Sequence, residues 1–291
     1  MIDVNILISI NMYKHDYFDR IWDEILLTMK NISFIVILNC CYKENVNYIK
    51  SNYNDKRIII NPVIISKSRA RGGLGHGIVE NMKYIINNDI HFKYFLILSN
   101  RTALIPEVKI KYNVLTKKEQ EYPSGFKNLE ELDDLIYNNN KLVQNLKKEN
   151  FKRVCNLNNN FNKLYPTGPV WSDGPHPPLT HWPAWGRTTI FKYLDEKDSM
   201  IYATYHEGLF FPMESVFGII NFFNNNNNIF EEMVRDGPTP TNPSRARGFE
   251  EFALQSICVY KNLPFANMCL RRFGKSRCPP LTATERRKWR R

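Results

Sequence analysis

The sequence predicts an α/β protein built on a mostly parallel, Rossmann-like sheet flanked by helices. Three observations predict it. Residues 4–10 and 34–38 are apolar nearly end to end, as strands buried on both faces are. Between them, apolar residues recur at 18, 21, 22, 25, 26 and 29, the spacing of a helix with one buried face. Further on, Gly72, Gly73, Gly75 and Gly77 form a turn that opens into a helix over 78–87. That helix feeds an apolar strand at 94–98, which stops at Ser99-Asn100-Arg101. Strands alternating with helices in this order pack as a parallel sheet.

A third strand is expected over 57–65, with Pro62 marking an edge or a bulge. Residues 107–128 are charged and mixed, the pattern of a loop. Residues 129–149 read as one or two helices broken at Asn138-Asn139-Asn140. The Asn-rich tracts at 156–162 and 224–228 are expected as surface loops. The stretch 165–185, YPTGPVWSDGPHPPLTHWPAW, holds too many prolines for a helix. Helices are expected at 188–194 and 213–223, and a Pro/Gly/Arg-rich loop over 235–248. Residues 249–260, FEEFALQSICVY, read as an amphipathic helix with Glu250 and Glu251 in its first turn.

A chain of 291 residues with 43% hydrophobic and 24% charged residues buries a large core as one domain. Its net charge of +11 is unevenly placed. From Met268 onward there are nine Lys/Arg against one acid, Glu285, which points to a local anionic partner. None of the six cysteines forms a CxxC pair, which argues against a structural zinc site and a secreted disulfide scaffold. The sequence opens directly on a strand and contains no run near 18 apolar residues. A cytoplasmic protein without stable membrane insertion is expected.

Several groups carry chemistry, each beside a plainer role. Ligands of open α/β sheets sit beyond the carboxyl ends of the strands, and helix starts favour anions. The Gly-rich helix start and Arg101 give two such edges, or else the glycines only let the chain turn. Neither a P-loop nor GxGxxG is present. His76 is a candidate polar contact there, or a structural histidine. Trp171, Trp182 and Trp185, with His176 and His181, line either a sugar platform or a rigid loop whose tryptophans plug the core. Glu250 and Glu251 either match the helix dipole, worth about 0.3–1 kcal/mol, or include a general base. The strand end carries no DxD pair of the kind a hard cation needs. Arg101, Arg271, Arg272 and Lys288 could instead neutralise a diphosphate directly.

Together these segments resemble the core-2/I-branching type of glycosyltransferase, a metal-independent, inverting family with a GT-A-like fold. Four blocks carry the resemblance in order: Gly75-His76 with the following helix and the strand to Ser99; WPAWGRTTIFKYL at 182–194; FEEFALQSICVYKNLPF at 249–265; and CPPLT with RKW at 278–282 and 287–289. The second glutamate of the third block is the family's base, so the resemblance implies that role for Glu251. It places the cations that hold the nucleotide diphosphate on Arg272 and Lys288; Gly75, His76, Ser99 and Arg101 are the expected donor contacts at the helix start and strand end. The chain departs from the family at Ser99-Asn100-Arg101, where an Asp gives way to a nearby cation. The compact, Asn-rich chain also resembles the sugar-transferring enzymes encoded by large algal viruses, xylosyltransferases among them.

The resemblance implies a UDP-sugar donor, with xylose or N-acetylglucosamine favoured, an oligosaccharide acceptor and no divalent metal. Residues 1–106 would form the nucleotide-sugar half and 107–291 the acceptor half. If Glu251 is not the base, Glu207 or Glu214 in HEGLFFPME is the next candidate. Two competing readings are a nucleic-acid-binding protein using the basic C-terminal segment and a glycoside hydrolase using a Glu pair.

Overall fold

The computed structural model describes residues 2–12, 18–65, 73–99, 102–103, 112–113, 118–119, 126, 128–156, 162–163, 185–186, 188–204, 206–235, 249–268 and 271–272. In chain order the elements are β1 (Ile2–Met12), α1 (Phe18–Thr28), β2 (Phe34–Cys40), α2 (Lys43–Asn52), β3 (Ile58–Ile60), α3 (Gly73–Asn87) and β4 (Ile90–Ser99). Then follow the short strands β5 (Thr102–Ala103), β6 (Tyr112–Asn113) and β7 (Lys118–Glu119), helix α4 (Leu129–Lys148), and strands β8 (Arg153–Asn156) and β9 (Asn162–Lys163). The chain continues with α5 (Thr189–Glu196), β10 (Ile201–Ala203), β11 (Leu209–Pro212), α6 (Met213–Asn225) and α7 (Asn227–Arg235). It reaches a 3-10 turn (Phe249–Glu251), α8 (Ala253–Lys261), β12 (Ala266–Asn267) and β13 (Arg271–Arg272).

The central sheet runs β12-β11-β4-β1-β2-β3. Strands β3, β2, β1 and β4 are mutually parallel, and β11 is antiparallel to both β4 and β12. The protein is therefore α/β with a mostly parallel sheet flanked by helices. The order 3-2-1-4 is the first part of the doubly wound pattern, and its direction reverses between β1 and β4. Alternation along β1 feeds two cores. Leu7 packs with Ile78, Val79, Met82 and Ile85 of α3, whereas Ile6, Ile8 and Ile10 pack with α1 and with Leu132 of α4.

Polar residues on the α3 side of β1 pin that helix. Asn81 donates to Ser9 Oγ at 2.9 Å, and Asn61 donates to Asn81 Oδ1 at 3.0 Å. The helix starts at Gly73, so the expected glycine turn is itself helical from there, and Gly75 and Gly77 are buried within it. The third strand forms a ladder only over Ile58–Ile60, at the sheet edge. Pro62 lies just beyond that ladder, as its missing N–H allows.

Three expectations are corrected. Helix α4 is unbroken through Asn138-Asn139-Asn140, because Asn139 is buried and tied across the fold. Its Nδ2 donates to Phe265 O at 2.8 Å and its Oδ1 accepts from Tyr202 Oη at 3.2 Å. The Asn224–Asn228 tract is not a loop but the junction of α6 and α7, where Asn226 caps by donating to Phe222 O at 2.8 Å. Helix 249–260 is split. Glu251 O accepts from Thr204 N at 2.8 Å instead of continuing the helical ladder, and α8 starts only after Phe252 (φ −137°, ψ −31°). By contrast, α5 begins where expected, with Thr188 Oγ1 accepting from Phe191 N. Residues 157–161, 164–184 and 236–248 lie outside the described residues, so Trp171, Trp182, His176 and His181 are not placed.

Replacing Asn139 by Leu strands the Phe265 carbonyl and the Tyr202 hydroxyl in a buried site. A loss of about 1–3 kcal/mol in urea-unfolding free energy is expected. A second tie gives a pH signature. Burial raises the Asp133 carboxyl, but hydrogen bonds from Lys93 and Tyr94 outweigh it and hold the group below the ordinary aspartate value. This stabilisation is present above the unfolded value of about 4 and is lost as pH falls through the lower folded value. Asp133 is half exposed, so the effect at neutral pH is under about 1 kcal/mol. Asp133→Asn is expected to lower the urea midpoint at pH 7 and to flatten its dependence on pH below about 4.

Candidate functional site

The reversal between β1 and β4 marks their carboxyl ends as the place where open α/β sheets bind ligands. Asn11 and Ser99 face each other there in register. Asn11 is 6% exposed. Its Nδ2 donates to Leu74 O at 3.0 Å, fixing the start of α3 against β1. Its Oδ1 is buried with no hydrogen-bond partner among the described residues. Gly75 is buried in the first turns of α3, where helix N–H groups lack intrahelical acceptors.

The turn between β10 and β11 closes the other side. It depends on Gly208, whose φ of 85° suits only glycine comfortably. Gly208 N donates to Ile97 O at 2.9 Å and Gly208 O accepts from Met268 N at 2.9 Å, which places residues 206–208 at the carboxyl end of β4. The 3-10 turn is bound to the same place through the Thr204–Glu251 bond and also lies against α3.

These contacts gather His206, Glu207, Glu250 and Glu251, all buried, at one end of the sheet. His206 Nδ1 lies 3.3 Å from Glu207 Oε2 and 3.9 Å from Glu250 Oε1. Gln255, on the first turn of α8, donates to Thr204 O at 3.3 Å. Gln255 Oε1 and Thr204 Oγ1 are buried without hydrogen-bond partners among the described residues. A buried carboxylate beside unpartnered polar groups is equipped to take a proton from a hydroxyl.

Of the cations in the basic C-terminal segment, only Arg271 and Arg272 are among the described residues. Arg271 and Arg272 pair antiparallel with Ala103 and Thr102, three to four residues past the end of β4. Arg101 and Lys288 lie outside the described residues. Among the remaining expected site residues, His76 packs edge-on against Phe230 with centroids 5.5 Å apart, and its Nε2 lies 3.7 Å from Glu80. Glu214 is exposed at the start of α6, away from the buried group. Trp185 is fully buried with its ring 4.9 Å from that of Phe252 and tilted by 31° to it, so it plugs the core and is not part of a sugar platform.

Sequence reasoning singled out neither Asn11 nor His206. A signal for Asn11 was present: Ser9 and Asn11 are polar at alternate positions of an otherwise apolar strand, on one face. His206, Thr204 and Gln255 carry no local pattern, because tertiary contacts alone bring them together.

No protein-family model matches the chain, and no curated protein matches it. Among the described residues no group of three or more His, Cys, Asp or Glu side chains is placed to hold a metal ion. No described helix is long and apolar enough to cross a membrane.

Proposed function

We propose that the chain is a GT-A-type, inverting, metal-independent glycosyltransferase that moves a sugar, xylose or N-acetylglucosamine favoured, from a UDP-sugar to a glycan hydroxyl. The observation that supports this reading is the antiparallel pairing of Arg271–Arg272 with Thr102–Ala103, residues that follow β4 by three to four positions. Glu251 removes the proton from the acceptor hydroxyl. The hydroxyl oxygen attacks the anomeric carbon from the face opposite the nucleotide, and the bond to UDP breaks with its electron pair. Arg272 and Lys288 offset the charge on the departing diphosphate, a kind of stabilisation worth roughly 3–4 kcal/mol per donor. Asn11, Gly75 and Ser99 border the donor side.

The buried Glu207, Glu250 and Glu251 favour one second reading, a glycoside hydrolase, which needs two carboxyl groups and no nucleotide. Thermal-shift measurements against UDP-, GDP- and CMP-sugars, in EDTA and without it, separate the two. Stabilisation by UDP-sugars alone, unchanged by EDTA, is expected. Loss of that stabilisation on chelation contradicts the metal-free reading. Sugar release with no nucleotide requirement supports the hydrolase.

A further inference from the structure

Proton removal by Glu251 and neutralisation by the cations leave two buried ionisable groups without a task, His206 and Glu250. They belong to different segments. His206 opens the turn into β11, and its backbone is fixed there. Leu209 N donates to His206 O at 3.1 Å, and Gly208 N donates to Ile97 O at 2.9 Å. Glu250 is the middle residue of the 3-10 turn. His206 is 5% exposed and Glu250 6%. The backbone bond from Thr204 N to Glu251 O joins the two segments but directs neither side chain.

A carboxylate taken out of water is costly unless a cation or a hydrogen-bond donor faces it. Among the described residues, the one basic side chain in ion-pair reach of Glu250 is His206, whose Nδ1 lies 3.9 Å from Oε1. The same Nδ1 lies 3.3 Å from Glu207 Oε2. An ionised carboxylate only accepts hydrogen bonds. A bare Nδ1 would therefore turn its lone pair on two oxygens, so the surroundings assign the hydrogen to Nδ1. Neither contact is a completed hydrogen bond, because Nδ1 is buried without a partner in bonding geometry. Such contacts in an unliganded site often shorten when substrate binds.

We propose that His206 is a positioning residue: its Nδ1–H holds the Glu250 carboxylate and thereby locks the 3-10 turn that carries Glu251. Glu250 and Glu251 are adjacent, so the turn cannot shift at one without shifting the other. With the lock in place Glu251 keeps one direction. Without it, the buried carboxylates of Glu207 and Glu250 face each other across the vacated ring, and like charge drives the two turns apart. The lock itself needs no nucleotide. Its consequence for catalysis rests on the reading of Glu251 as the general base.

Hydrogen exchange of the full chain without ligand tests the lock, and steady-state transfer tests its consequence. In His206→Leu, exchange at residues 249–252 is expected to quicken by at least about tenfold relative to β2. The kcat of transfer is expected to fall roughly ten- to a hundredfold, with KM for the UDP-sugar within about twofold of wild type, since a misaligned base costs rate and not nucleotide affinity. His206→Asn restores an N–H near the place of Nδ1 and is expected to recover most of both losses. Glu250→Ala should loosen the same residues, and the double variant His206→Leu/Glu250→Ala no more than either alone, because the two share one contact. Wild-type exchange in both single variants overturns the proposal. So does equal loss in His206→Asn and His206→Leu, which would assign the effect to ring packing, and so does additivity in the double variant. Should His206→Leu fail to fold, Glu250→Ala decides, since wild-type protection there leaves nothing for His206 to hold. If the wild-type chain transfers no sugar, the exchange results still decide the lock, and only the role given to Glu251 falls.

Discussion

Glu251→Gln is expected to reduce sugar transfer by roughly a hundredfold to ten-thousandfold, the usual contribution of a positioned general base. Affinity for UDP should stay near wild type, because the amide keeps the size of the side chain and the diphosphate is held by cations from elsewhere. The structure supplies the environment this effect requires. Glu251 is 6% exposed, and its backbone is held by Thr204 at the carboxyl end of β4. Steady-state transfer assays and calorimetric titration with UDP check both halves of the expectation. If transfer survives in Glu251→Gln, the same measurements on Glu207→Gln decide whether the neighbouring buried carboxylate is the base. Glu214, exposed at the start of α6, is the remaining candidate for the same measurements.

The second large effect is on stability. Phe252 is fully buried between Trp185 at 4.9 Å and Phe191 at 6.1 Å. Replacing it by Ala opens a cavity in the core, and a loss of about 3–5 kcal/mol is expected from chemical denaturation. Phe252 also forms the break between the 3-10 turn and α8. Its loss should therefore speed hydrogen exchange at residues 249–256 more than in the distant β2 strand. Equal change throughout the sheet would show that the ring serves the core alone and does not hold the glutamate turn.

The parallel half of the fold was legible because buried strands announce themselves by composition. Residues 34–38 are apolar without interruption and 4–10 nearly so, and nothing local competes with the strand reading. The later half was harder to read for identifiable reasons. The Asn-rich runs suggested a helix break at 138–140 and a loop at 224–228, yet Asn139 and Asn226 lie in or beside helices, held by tertiary or capping bonds to Phe265 and Phe222. Helical spacing through 249–260 hid a break imposed by the Thr204 contact, which lies 47 residues away in sequence. The site showed the same division. Glu251 came from a resemblance and Asn11 could have come from alternation, while the placing of His206 beside Glu250 depends on β11 joining β4 in reverse.

The proposed mechanism requires fixed cations near the end of the chain to stand where a divalent ion would otherwise hold the diphosphate, with Glu251 on the opposite side of the sugar. A crystal structure of the chain with UDP-sugar in the presence of EDTA tests this most directly. The diphosphate is expected between the β1–β4 edge and the Arg272 side chain, with the Glu251 carboxylate turned toward the side from which an acceptor reaches the anomeric carbon. A nucleotide bound away from Arg272, or Glu251 turned from the sugar, would contradict it.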